Sequence, residues 1–122
     1  MNSKVYIINS AGHDYSKAAQ FGTLTILTEG SLPIFAVDRI KEMCIEGLEN
    51  FDCRYDYLLL SGNLVPNIIA TGVALMKSRG HITVLIFDAK RRIYIERQLD
   101  FSGIQTNLKE EDFYGAIINS RY

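Results

Sequence analysis

The sequence predicts a small α/β domain: a Rossmann-like three-layer sandwich over residues 1–122, with a mainly parallel sheet and a C-terminal antiparallel hairpin. Three observations predict it. Val5-Tyr6-Ile7-Ile8 and Tyr57-Leu58-Leu59-Leu60 are short continuous apolar runs, suited to strands covered on both faces. Helical patterns lie between the strand-like runs, and that alternation implies right-handed parallel crossovers. The last two strand-like segments are joined by the short turn Asp88-Ala89-Lys90-Arg91, which makes them a hairpin.

Asn9-Ser10-Ala11-Gly12 ends the first strand. Asp14 is placed to cap a short helix through Phe21, which Gly22 terminates. Thr23-Leu24-Thr25-Ile26-Leu27-Thr28 is rich in β-branched residues and reads as a second, less buried strand. The connection between these strands is close to the minimum for a parallel crossover, so their pairing stays open. After the turn Glu29-Gly30-Ser31, Ser31 is a candidate N-cap and Pro33 fits a first helical turn.

From Ile34 to Asn50, apolar residues recur at Ile34, Val37, Ile40, Cys44 and Leu48. That spacing gives an amphipathic helix with one core face. The run Tyr57 to Leu60 then stops on Ser61-Gly62-Asn63 and leads into a helix from Leu64 to Arg79, with Gly80 ending it. This helix is apolar on nearly every side, which asks for cover beyond one sheet face: another helix or a second subunit. Lys77 and Arg79 suit the negative end of its dipole. Ile82 to Phe87 is a strand, and Arg92 to Arg97 alternates as its hairpin partner with one wet face. Phe101 to Thr106 reads as irregular, and Asn107 with Glu110 forms a capping pair for a last helix through Ile118.

Composition narrows the function classes. Of 122 residues, 48% are apolar and 22% charged, ordinary values for a soluble globular protein. The net charge of -1 supplies no field that would draw the chain to nucleic acid or an anionic membrane. The run Leu64 to Met76 is too short and too polar to span a bilayer, and no signal-peptide pattern is seen, so a cytoplasmic protein is expected. Cys44 and Cys53 form no metal pattern and read as reduced thiols. No cofactor or metal signature is present, neither GxGxxG after the first strand nor GxxxxGK[ST].

In a parallel sheet, ligands bind where the carboxyl ends of the strands share a rim. Small and polar residues collect there: Asn9, Ser10, Gly12, His13, Asp14 and Tyr15 after the first strand, Thr28, Glu29, Gly30 and Ser31 after the second, Ser61, Gly62 and Asn63 after the third. Each loop taken alone is equally what turns and caps require. At the third junction Gly62 permits close backbone approach, and Ser61 and Asn63 can donate to a phosphate or hydroxyl. His13 beside Asp14 is the one histidine–carboxylate pair near the rim and the candidate acid–base. His81 opens a strand at the opposite rim. Lys90-Arg91-Arg92 reads as a solvated hairpin tip before it reads as a phosphate contact.

Ser61-Gly62-Asn63, after its apolar strand and before a small-residue helix, resembles the element of CRISPR-associated Rossmann-fold (CARF) sensor domains. The likeness covers roughly Tyr57 to Arg97. It implies a homodimer that binds cyclic oligoadenylates across its interface, in some members with ring cleavage. Ser61, Gly62 and Asn63 match; Leu64 and Val65 stand where the family carries a basic residue. Separately, Gly12-His13-Asp14-Tyr15-Ser16 through Phe21-Gly22, with Leu27-Thr28-Glu29-Gly30, looks like small bacteriophage-encoded proteins without assigned activity.

The expected function is a nucleotide- or small-anion-binding module, homodimeric or of higher order, in the host cytoplasm if phage-encoded. Its ligand residues would be Ser10, Asp14, Glu29, Ser61, Gly62 and Asn63. Two alternatives stand beside it: a structural or protein-interaction role without a ligand, and a phosphodiester or glycosidic hydrolase using His13.

Overall fold

The computed structural model describes residues 2–33 and 35–104. Its strands are β1 (Lys4–Ser10), β2 (Thr23–Glu29), β3 (Tyr57–Leu59), β4 (His81–Asp88) and β5 (Ile93–Asp100), and its helices α1 (Val37–Gly47) and α2 (Leu64–Lys77), with a 3-10 helix at Ser16–Gln20. The strands form one sheet in the order β2-β1-β3-β4-β5. β2, β1, β3 and β4 are parallel, and β5 returns antiparallel to β4. The open question of the first crossover is settled: Val5 pairs with Leu24 and Ile7 with Ile26 in parallel register.

Period-2 alternation sorts the strand residues between two cores. Tyr6, Ile8, Leu58, Ile82 and Val84 pack under the helices with Ile40, Cys44, Leu48, Ala70 and Ala74. Val5, Ile7, Leu59 and Leu85 face the other way and pack with Tyr15, Ala18 and Tyr94. Two helices therefore cover one face, and the short 3-10 segment forms a thin third layer on the other. The first crossover runs outward to β2 while the next two run back across the sheet. Right-handed connections running in opposite directions must lie on opposite faces. The direction reverses between β1 and β3, and that reversal defines the switch point where open α/β sheets bind ligands.

Several local expectations are corrected. α1 begins at Val37, not Ile34, and its N-cap is Ala36 rather than Ser31. The Ser31-Leu32-Pro33 segment stays outside the helix; Leu32 reaches down to the helix-side core, and Ala36 N–H closes a turn on the Pro33 carbonyl. α1 ends at Gly47 rather than Asn50. At the end of α2 both Arg79, at φ 53°, and Gly80, at φ 87°, have positive φ, so Gly80 ends the helix as expected with Arg79 left-handed before it. The Gly80 N–H then bonds back to the Leu75 carbonyl at 2.8 Å, the long closure of a Schellman cap. Lys77 stands in the last turn of α2 as expected, and its ammonium donates to the Leu48 and Glu49 carbonyls just beyond α1. α2 buries only its small stripe of Pro66, Ala70 and Ala74, while Leu64, Ile68 and Met76 stay exposed. Cys44 is buried and Cys53 half-buried, both as free thiols. The predicted helix from Asn107 to Ile118 lies outside the described residues.

Candidate functional site

The rim at the switch point is organised by Asn9, near the end of β1 and fully buried. A buried amide must satisfy both its donors and its acceptor. Its Nδ2 donates to Thr28 Oγ1 at 3.0 Å and to the Gly30 carbonyl at 3.0 Å. Its Oδ1 accepts the Asn63 N–H at 2.8 Å. A carbonyl can only accept and a backbone N–H can only donate, so this orientation of the amide is the one its neighbours permit. Ser61 Oγ donates to the Asn9 carbonyl at 2.9 Å. Thr28 Oγ1 passes its own proton to the Ile8 carbonyl at 2.6 Å. One side chain thus ties together the loops after β1, β2 and β3.

Gly62 is required by this tie. Its φ is +73°, and a Cβ built there would lie 2.1 Å from Asn9 Oδ1 and 2.5 Å from the Asn9 carbonyl oxygen. The backbone of the β3–α2 junction can approach Asn9 only without a side chain. Asn67, one turn into α2, completes the lock: its Oδ1 accepts the Ser61 N–H at 3.0 Å, and its Nδ2 donates to the Ser61 and Asn63 carbonyls at 2.6 Å each. Asn63 is the N-cap of α2 by position, yet its side chain makes no cap bond; it donates to the Gly30 carbonyl at 3.1 Å. The amides of Ser61 and Asn63 are therefore already bonded within the protein.

A cleft of about 530 Å³ opens beside this network, on the face that carries the 3-10 helix. Its floor is Leu59, Leu60, Ser61 and Gly62 at the end of β3. One wall is His13, Asp14 and Tyr15; the other is Phe87, Ala89 and Tyr94, from β4, the hairpin turn and β5. The volume sits within the roughly 300–1,000 Å³ of small-molecule sites. Aromatic rings dominate the walls. Phe87 and Tyr94 lie 5.2 Å apart between centroids, tilted by 56°, and Phe87 is 45% exposed. His13 meets Tyr15 edge-on at 6.3 Å. Tyr15 Oη is held between the Asn9 carbonyl and the Ala11 N–H.

Electrostatics differentiate the two walls. The Ser16 backbone N–H, at 2.9 Å, and the Ser16 hydroxyl hold the Asp14 carboxyl below the usual carboxylate range. Burial, with Tyr15 and Asp14 close by, pushes the Tyr94 phenol up. Asp14 is then a carboxylate at neutral pH and Tyr94 a neutral phenol, an acceptor facing a donor across the cleft. His13 is exposed and makes no side-chain hydrogen bond among the described residues, so no carboxylate orients its imidazole as an acid–base. The Asp14 carboxylate beside it takes the Ser16 N–H on Oδ1 and makes no hydrogen bond to the imidazole.

Of the seven residues singled out by sequence, His13, Asp14, Ser61 and Gly62 line this cleft. Ser10, Glu29 and Asn63 do not. Ser10 and Glu29 pair across β1 and β2, and the Ser10 carbonyl takes the Gly30 N–H at 2.7 Å. Asn9 and Tyr15 already stand among the rim residues in the sequence, though nothing local marks Asn9 as the buried centre of the network. Phe87 and Tyr94 became cleft walls only when the hairpin folded beside the 3-10 helix. Among the described residues, no group of His, Cys, Asp and Glu could hold a metal ion, and no buried side-chain polar atom lacks a partner. A second, more open depression of about 670 Å³ runs along α2 past Leu64, Ile68 and Leu75, and none of its lining residues carries a charge.

The family model described as phage Pam3 gp32-like protein matches residues 3–101. No curated protein and no solved structure matches the chain.

Proposed function

The chain belongs to the phage Pam3 gp32-like protein family, and from that premise we propose that it binds a nucleotide or similar small ring-bearing anion in the cleft between the 3-10 helix and the β4–β5 turn. The observation that carries the reading is the ring-walled cleft at the carboxyl ends of β3 and β4. Tyr15, Phe87 and Tyr94 offer π faces and edges to a planar ligand. Asp14 and Tyr94 offer an acceptor and a donor for its hydroxyl or ring groups. The CARF-like element at Ser61-Gly62-Asn63 enters as the scaffold of the cleft floor, with its Ser61 and Asn63 amides spent inside the protein, rather than as the anion cradle. For a phage protein this is the equipment of a module that captures a host nucleotide signal.

Isothermal titration with mono-, di- and cyclic nucleotides tests the proposal. Saturable heat is expected with at least one of them, and Phe87→Ala should weaken it by about tenfold. Phe87 is half exposed, so that substitution should leave the melting temperature nearly unchanged. Absence of heat with every nucleotide would reject the reading.

The exposed face of α2 supports a second reading, association with another copy of this chain. Leu64 is 73% and Ile68 62% exposed, and no charged residue interrupts α2 from Leu64 to Met76. Light scattering at micromolar concentration should then give a dimer mass, and Ile68→Glu the monomer mass. A wild-type monomer would exclude it.

A further inference from the structure

We infer that the ligand of this cleft carries a phosphate or equivalent dianion beside its ring, and that the β4–β5 turn is the arm that holds it. The inference rests on the cleft reading above and adds the residues and the ligand class. Its starting point is a deficit: the β3–α2 junction has no basic residue, and its Ser61 and Asn63 amides are bonded to Asn67 and Asn9. An anion in the cleft needs its positive partner from another element.

The turn that continues the opposite wall carries basic residues. Ala89 lines the cleft, and the next three residues of the same turn are Lys90, Arg91 and Arg92. Lys17, on the 3-10 helix, reaches across and donates its Nζ to the Arg92 carbonyl at 3.1 Å. Four cations are therefore carried by the 3-10 helix and the turn that follow the two cleft walls, next in sequence to the lining residues rather than among them, with the carboxylates of Asp14 and Asp88 close by in the chain. Among the described residues only Arg91 of the four is ion-paired, its Nε 3.6 Å from Asp88. This local surplus stands in a chain of net charge -1, so general basicity does not explain it.

The backbone of the turn points the same way. The Asp88 carboxylate accepts the Lys90 and Arg91 N–H groups at 3.0 and 3.3 Å, and the Arg92 N–H closes on the Asp88 carbonyl at 2.7 Å. The closure puts Arg92 at φ 57°, a left-handed conformation in which hairpins usually place glycine. A bulky cation is held where the fold would rather have no side chain. Strain of that kind argues for a role beyond the fold. Guanidinium groups match phosphate oxygens in bidentate geometry, and Arg92 lies two residues before Tyr94 of the aromatic wall. Ring and dianion together describe a nucleoside phosphate.

The experiment compares the four common ribonucleosides with their 5′-monophosphates by isothermal titration at low ionic strength. At least one monophosphate should bind tenfold or more tighter than its nucleoside, with an advantage that shrinks as salt is raised. Arg92→Gly should remove most of that advantage, leave nucleoside affinity unchanged and raise the melting temperature. Arg39→Ala, on the exposed side of α1, should change none of these. Equal binding of nucleoside and monophosphate would overturn the phosphate arm while leaving the ring cleft standing. The arm also fails if Arg92→Gly and Arg91→Ala leave the ratio intact, or if only a polynucleotide binds. No binding of any nucleoside or nucleotide would overturn both readings.

Discussion

Replacing Asn9 by aspartate changes one atom at the centre of the rim and tests whether that rim is a fixed scaffold. The wild-type side chain makes three hydrogen bonds, to Thr28, Gly30 and the Asn63 N–H, with no exposure to solvent. At about 1 kcal/mol net for each, Asn9→Ala should cost about 3 kcal/mol. Aspartate keeps the acceptor for Asn63 but sets a second oxygen against the Gly30 carbonyl and against Thr28 Oγ1, whose proton is given to Ile8. A carboxyl there is driven toward its protonated form, which alone can donate. A fully buried carboxyl raised by about three units loses about 4 kcal/mol of stability by neutral pH. The sign follows from linkage: with the folded-state pKa raised above the unfolded one, the deficit is smallest near pH 4 and grows as pH rises toward the folded value. Urea unfolding followed by circular dichroism between pH 4 and 8 measures the gap between wild type and N9D. A gap that is absent at pH 7, or that does not widen from pH 4 to pH 7, would refute the account of the network.

Three further outcomes are expected. Gly62→Ala must place a methyl group 2.1 Å from Asn9 Oδ1 at a positive φ, and should lower the urea-derived stability by about 2–4 kcal/mol; a loss under about 0.5 kcal/mol would show that the junction is slack. Arg79→Gly relieves the left-handed residue of the α2 cap and should gain about 0.5–1 kcal/mol, seen as a higher urea midpoint at unchanged slope. Burial raises the phenols of Tyr6, Tyr57 and Tyr94, so an alkaline absorbance titration should show tyrosines ionising above the unfolded value of about 10. Because a raised folded pKa stabilises only while the proton stays on, stability should fall as pH rises through 10 and beyond; a titration with every phenol at the ordinary value would contradict their burial.

Much of the fold was legible because its signals are local. The apolar runs at Val5–Ile8 and Tyr57–Leu60, the hairpin turn at Asp88 and the 3.6-residue spacing of Ile40, Cys44 and Leu48 each reflect a periodicity that burial imposes on neighbouring residues. Boundaries were less legible. Ser31 and Pro33 look like a helix start, but Leu32 is drawn to the core and the helix waits until Val37. Gly80 marks the end of α2, but nothing in the sequence shows that Arg79 before it is left-handed as well.

The sequence by itself determined the alternation of strands and helices, the two-faced burial of β1 and β3, and the loops that would meet at one rim. Those follow from the order and spacing of residues along the chain. Only the tertiary structure decided which rim groups are free to act. Ser61, Gly62 and Asn63 carry the residue types of an anion cradle, but a buried Asn9 distant in sequence must be satisfied, and it claims them. The cleft instead unites His13 to Tyr15 with Phe87 and Tyr94, which meet only because the sheet order brings β4 and β5 beside the first crossover. Hydrogen-bond satisfaction and strand order are properties of residues far apart in the chain, so no local pattern records them.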